Sequence, residues 1–219
     1  MTRSTLLAIF AIALLAGCQP RETQTASAAA TTAAAMPAPQ AAASDVAVAQ
    51  PPSFDCANAT GEFEQMVCKD PALSALDRQL ADTFAQALAK ASDKDTLQAT
   101  QRGWIKGRDD CWKAEDKPAC VRESYIVRIV DLRIQNGLVV VPTAVEFRCD
   151  DNSKPFTATF YNDTPRAAVL TWGNDQAIVP EAPSASGVRY AARGVEFREH
   201  QGKATVDFFG NKLTCTPAA

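Results

Sequence analysis

Val145-Glu146-Phe147-Arg148-Cys149 and, after a short turn, Phe156-Thr157-Ala158-Thr159-Phe160 alternate side chain by side chain, the period of a half-buried β-strand. Upstream the period is different. Leu73, Leu76, Leu80, Phe84 and Leu88 recur at three- and four-residue steps and make one apolar stripe of a helix. The change falls after Leu138-Val139-Val140-Val141. It predicts an α+β chain of two domains: a disulfide-linked three-helix bundle over 53–137 and an antiparallel β-barrel of about eight short strands over 143–219.

Further strands follow near Ala167–Trp172, Gln176–Val179, Val188–Ala191, Val195–Glu199, Thr205–Phe208 and Lys212–Cys215. Asp151-Asn152, Asn162-Asp163, Gly173-Asn174, Gln201-Gly202 and Gly210-Asn211 separate them as turns. Short, closely spaced strands in so short a segment indicate a barrel or sandwich. A core that small is marginal, so a disulfide from the first strand to the last, Cys149–Cys215, is physically sensible.

In the helical half, Asp70-Pro71 starts a helix, with an N-cap acceptor followed by proline in the first turn. Ser92 or Asp93 caps a second, with Leu97, Trp104 and Ile105 facing inward. Pro118 opens a third, with Val121, Tyr125, Ile129 and Leu132 on one face, and Asn136-Gly137 stops it. Cys56, Cys68, Cys111 and Cys120 gather at one end of this bundle. They permit three pairings, and the hairpin favours Cys68–Cys111. Arg108 and Asp77 are placed to form an interhelical ion pair that serves as scaffolding.

The N-terminus carries Arg3 followed by the apolar run Leu6 to Leu15, too short to span a bilayer. Leu15-Ala16-Gly17-Cys18 resembles the lipobox of bacterial lipoproteins. The resemblance implies a signal peptide over 1–17, lipidation at Cys18 and, with Gln19 rather than Asp next, an outer-membrane anchor facing the periplasm. Several acyl chains anchor durably at ~0.8 kcal/mol per buried CH₂. From 18 to 52 the chain is rich in Ala, Pro and Thr and nearly free of large apolar residues, which predicts a disordered tether. Its r.m.s. reach is roughly 30 Å.

The chain holds 22 basic against 25 acidic residues, and the signal peptide removes one of the basic ones. That balance excludes a nucleic-acid binder. Six of the seven cysteines remain once Cys18 is set apart, an even number in an exported chain, which implies disulfides. With one histidine and no Cys-x-x-Cys, neither a metal site nor a cofactor is expected.

Ser184-Ala185-Ser186-Gly187-Val188-Arg189-Tyr190 is the stretch with the most chemical content. Two small hydroxyls stand beside a glycine that tolerates positive φ, so the loop can lie flat, enter a cleft and donate to carboxylates. An enzyme reading would join Ser184 or Ser186 to His200 and to Glu199 or Asp207. It lacks a Gly-x-Ser-x-Gly elbow, and no enzymatic activity is expected. The paired acids Asp109-Asp110, Glu115-Asp116 and Asp150-Asp151 read as solvated surface charge.

Residues Val145 to Pro217 resemble the membrane-bound inhibitors of C-type lysozyme, the MliC family. The resemblance rests on Phe147-Arg148-Cys149-Asp150, the Ser-x-Ser-Gly-x-x-Tyr loop of Ser184 to Tyr190, and Phe197 with Gly202, Ala204 and the closing Cys215. It implies a loop that enters the lysozyme cleft, where a serine meets one catalytic carboxylate and a cation meets the other. Ser184, Ser186, Gly187, Arg189, Tyr190, His200 and Lys203 are the residues so implicated. The chain departs from the family where a lysine is usual: His200 stands at or near that place and is a cation when protonated, the usual Trp beside Phe197 is missing, and Lys203 or Arg189 can supply the charge instead. Inhibition that strengthens below about pH 6.5 is therefore expected. Phe54 to Leu132 resembles the LprI-type domain through Phe54-Asp55-Cys56, Glu64 to Cys68, Leu76-Asp77, Gln101-Arg102-Gly103-Trp104, Arg108 to Cys111 and Tyr125 to Ile129. The alternative is a non-catalytic envelope protein whose two domains bind peptidoglycan or another wall component.

Overall fold

The computed structural model describes residues 50–218. The signal peptide, Cys18 and nearly all of the tether lie outside the described residues.

Four helices precede the strands: α1 (Glu62–Lys69), α2 (Pro71–Lys90), α3 (Lys94–Asp109) and α4 (Lys117–Gln135). The three-helix expectation omits α1. The Glu64 carboxylate accepts the Thr60 and Gly61 N–H groups at 3.2 and 3.1 Å, which caps α1, and Phe63 and Val67 bury its inner face. Asp70 then ends α1 and caps α2, accepting from the Ala72 and Leu73 N–H groups. Its extended backbone (φ −102°, ψ 110°) is what the following proline requires. A single residue thus separates two helices.

This extra helix also corrects the disulfide expectation. Cys68, on α1, pairs with Cys56, and Cys111 pairs with Cys120 across the α3–α4 connection. Both bridges are local, and Cys68–Cys111 is not formed.

Leu73, Leu80 and Ala87 of α2 pack with Val121, Tyr125, Ile129 and Leu132 of α4 as the helical core. Helix α3 contributes Leu97 and Trp104, both half-buried. Ile105 does not face inward as expected. It is 41% exposed, because one residue along a helix turns the side chain by about 100° from Trp104.

Asp77 and Arg108 are buried, at 8% and 6% exposure, but do not pair directly. The Tyr125 hydroxyl stands between them, donating to Asp77 Oδ1 at 2.9 Å and accepting from Arg108 Nη1 at 3.1 Å. Ser53 donates its N–H and Oγ to the other Asp77 oxygen at 2.7 and 2.6 Å, and Arg108 also holds Asp109. Each buried charge thereby meets partners, as burial demands. Burial, then the Asp77 charge, pushes the Tyr125 pKa up and keeps the hydroxyl a donor.

The eight strands are β1 (Val145–Cys149), β2 (Phe156–Tyr161), β3 (Ala167–Trp172), β4 (Asp175–Pro180), β5 (Val188–Ala192), β6 (Val195–His200), β7 (Lys203–Phe208) and β8 (Asn211–Pro217). All neighbours are antiparallel, in the order β4-β3-β2-β1-β8-β7-β6-β5. The sheet curls until its edge strands nearly meet. At that seam one bridge, Glu181↔Tyr190, and the Ala182 N–H donated to Arg189 O at 2.8 Å join the edges. Phe147, Phe156, Leu170, Val179, Phe197 and Val206 fill the interior. Cys149 and Cys215 sit opposite each other on β1 and β8 and are bonded, as the small core suggested.

Helices and barrel belong to one compact unit. Helix α4 packs against β3 and β4. Val130, Tyr161, Ala167 and Val169 are buried yet belong to neither core, which marks them as the layer between helix and sheet. Strand β3 is accordingly buried on both faces. Gln79 Nε2 and Arg133 Nη1 both donate to Thr164 O, at 2.7 and 2.9 Å, and close this layer at one end. Among the described residues no helix is long and apolar enough to cross a membrane.

Candidate functional site

The link from β4 to β5 carries the Ser184–Tyr190 motif across the seam. Ser184, Ser186 and Gly187 are exposed, so the loop projects as a finger. The finger is bent on itself: Ser184 Oγ donates to Ser186 O at 2.6 Å. Among the described residues the Ser186 hydroxyl has no hydrogen-bond partner within the protein, and it is the one left to reach outward.

Gly187 sets the finger's place. Its φ is +66°, and a Cβ there would lie 2.0 Å from the Glu199 carbonyl oxygen and 3.1 Å from the His200 Cβ. Finger backbone and β6 backbone therefore touch, a contact open only to glycine. The contact also brings the end of β6 to the finger. His200 pairs with Lys203 across the Gln201-Gly202 turn, and directly opposed residues share a face. Both are exposed, and neither forms an ion pair among the described residues. Ser186, Gly187, His200 and Lys203 thus converge at one end of the barrel.

Arg189 and Tyr190 take other roles. Tyr190 is 4% exposed, with its ring against Phe160 and Phe197 at 5.4 and 6.4 Å between centroids. It is a core residue that anchors the base of the finger. Burial raises its pKa, so it stays a neutral phenol. Arg189 stands opposite Arg198 in the β5–β6 register, and Glu196 accepts from both guanidiniums, from Arg189 Nη2 at 3.2 Å. Hydrogen bonds from Arg189 and then Arg198 hold the Glu196 carboxyl below its ordinary range. Arg189 is already engaged, whereas Lys203 and His200 are not. Glu196 was not singled out by the sequence. Its place two residues before Arg198 puts them on one face, but the link to Arg189 depends on the strand register.

A serine-hydrolase arrangement does not assemble. Glu199 accepts the Gly202 N–H at 2.7 Å and Asp207 the Gly210 N–H at 2.8 Å, and neither orients His200. Among the described residues no His, Cys, Asp and Glu cluster could hold a metal ion. A groove of about 430 Å³ flanks the finger, lined by Glu181, Pro183, Ser184, Gly187 and Arg189. A larger concavity of about 890 Å³ lies on the outer face of β5–β8, lined by Arg198, Asp207, Phe209 and Lys212.

Comparison with known proteins finds two matched segments. Residues 147–214 match the family described as membrane-bound lysozyme-inhibitor of c-type lysozyme (MliC), and residues 56–132 the family described as lysozyme inhibitor LprI. Among solved structures, Pseudomonas aeruginosa MliC in complex with hen egg white lysozyme is 24% identical, covering 35% of this chain and 81% of that chain with a TM-score of 0.30. Lipoprotein LprI of Mycobacterium tuberculosis and that of Mycobacterium bovis are each 39% identical over 164 residues, which is 74% of this chain and 83% of the relative. The chain belongs to the LprI family of lipoproteins.

Proposed function

We propose that this lipoprotein inhibits C-type lysozyme by inserting the Ser184–Gly187 finger into the enzyme's cleft, and that it does no catalysis of its own. Both matched families are described as lysozyme inhibitors. The observation that carries the mechanism is the contact at Gly187, which presents Ser186 beside His200 and Lys203 on an exposed finger seated against β6. The target's machinery is a pair of carboxylates, one kept neutral by its surroundings and one ionised. The Ser186 hydroxyl donates to one, and Lys203 with His200 faces the other. Bonds to charged groups contribute about 1.5–3 kcal/mol each. Lipidated at Cys18 and tethered through 18–52, the barrel works near the outer membrane, facing the periplasm, and protects peptidoglycan.

The test is a turbidity assay with purified residues 19–219, C-type lysozyme and a cell-wall suspension. Wild type slows clearing. Ser186→Ala with His200→Ala weakens inhibition at least about tenfold, since 1.4 kcal/mol is a factor of ten. The pair of substitutions leaves any pull-down by peptidoglycan unchanged. Full inhibition by the double variant would overturn the finger mechanism. Wall binding without inhibition would instead favour an envelope assembly role.

A further inference from the structure

The barrel has one weak line, and the finger crosses it. Strands β4 and β5 share one bridge and one further backbone bond, whereas every other neighbouring pair forms a continuous ladder. Helix α4 reaches both sides of this seam. On one side it packs against β4 and β3 with Val130 buried in the layer. On the other, both carboxylate oxygens of Glu123 accept the Arg193 N–H, each at 3.1 Å, and Arg193 lies in the turn that ends β5. At the opposite end of α4, Arg133 reaches Thr164 O, and Arg166, two residues further on, holds Glu181, the first residue past β4. There Arg166 O accepts the Glu181 N–H at 3.0 Å, and the two side chains pair at 3.6 Å.

From this arrangement we infer that the helical part is a splint for the inhibitory finger, with Glu123 as a positioning residue that acts through Arg193 and β5. An edge strand bonded along one side only opens more easily than an interior one, and a finger hinged on it would have to be ordered each time it bound. A helix clamped to both edges supplies that order beforehand, and preorganisation of this kind raises affinity without adding a contact. The helical part then needs no lysozyme contact of its own. The consequence for inhibition rests on the function proposed above; the mechanical claim does not.

The test uses the whole chain of residues 19–219 and reads hydrogen exchange alongside lysozyme inhibition. In Glu123→Ala, the β5 amides from Val188 to Ala192 exchange at least about fivefold faster, those of β7 and β8 keep their rates, and inhibition weakens by a similar factor. Glu123→Gln, which keeps a carbonyl acceptor for Arg193, restores most of both. Unchanged β5 exchange in Glu123→Ala overturns the splint, whatever the inhibition does. Faster β5 exchange with inhibition at wild-type strength overturns its link to the finger. Should the wild-type chain itself not inhibit lysozyme, the exchange measurement still decides the splint, and only the functional proposal falls.

Discussion

Replacing Gly187 with alanine probes the finger with the least chemistry. Two costs arise. A residue with a Cβ at φ +66° sits in the left-handed region, at about 1–2 kcal/mol. The added carbon would also lie 2.0 Å from the Glu199 carbonyl oxygen, whereas close carbon–oxygen contacts settle near 3.3 Å. The neighbour is backbone, so the finger and β6 must part by about 1.3 Å. A hydrogen bond of ordinary length stretched that far is lost. Ser186 and His200 flank the contact, so both of the bonds proposed for them to lysozyme should be lost. At about 1.5 kcal/mol each, inhibition falls about a hundredfold. Gly210 supplies the control. Its φ is +88°, it lies in the β7–β8 turn at the far end of the barrel, and a Cβ there would meet nothing within 4 Å. Gly210→Ala carries the same backbone strain without the clash, and inhibition should change by less than about threefold. Lysozyme turbidity and thermal melts on the two variants decide the matter. If Gly187→Ala inhibits as well as wild type, the finger does not work through its seat on β6.

Two predictions concern the scaffold. Tyr125→Phe leaves Arg108 Nη1 without its acceptor and removes one donor to Asp77, both in the buried helical core. The expected loss is about 1–3 kcal/mol, read as a melting temperature several degrees lower, with inhibition per folded molecule unchanged. Acid should loosen the barrel by a different route. Arg189 and then Arg198 hold the Glu196 carboxyl down, and the Thr214 N–H holds Asp150 down. A carboxyl whose folded pKa is depressed contributes stability above its unfolded pKa, near about pH 4 to 4.5, and the contribution is lost as pH falls through the depressed value. Melting temperatures measured from pH 6 to pH 2.5 should therefore drop below about pH 4. A flat profile would show that these bonds are worth nothing.

The β half was the more legible because a two-residue period leaves little choice of face. Val145, Phe147 and Cys149 announce β1, and the turn dipeptides set the remaining boundaries to within a few residues. Ala167-Ala168-Val169-Leu170 carried a further signal that the alternation argument passed over. Apolar side chains on both faces of β3 mean that something covers the outside, and helix α4 does. Helix α1 was hidden because Asp70-Pro71 reads as a beginning, when Asp70 is also an end. The disulfides among Cys56, Cys68, Cys111 and Cys120 follow from where α1 turns the chain, which spacing does not encode. The finger's side chains were legible, but the partners of Arg189 and Tyr190 were not. One is set by cross-strand register and the other by which face of β5 points inward.

The histidine at the end of β6 illustrates how a sheet absorbs a substitution. The MliC resemblance implies a lysine near this position, and its absence removes one candidate for the cation that the proposed mechanism sets against the ionised carboxylate. In an antiparallel pair, however, the residue directly opposite points to the same side, with its Cβ about 4.5–5.5 Å away. Lys203 is that residue for His200, across the Gln201-Gly202 turn. The charge can therefore come from the neighbouring strand while His200 keeps its place against Gly187. What the mechanism asks of the barrel is then less one particular side chain than one rigid edge, where β6, β7 and the finger meet. The Cys149–Cys215 bond ties β8, the neighbour of β7, to β1, and the Gly187 seat ties the finger to β6.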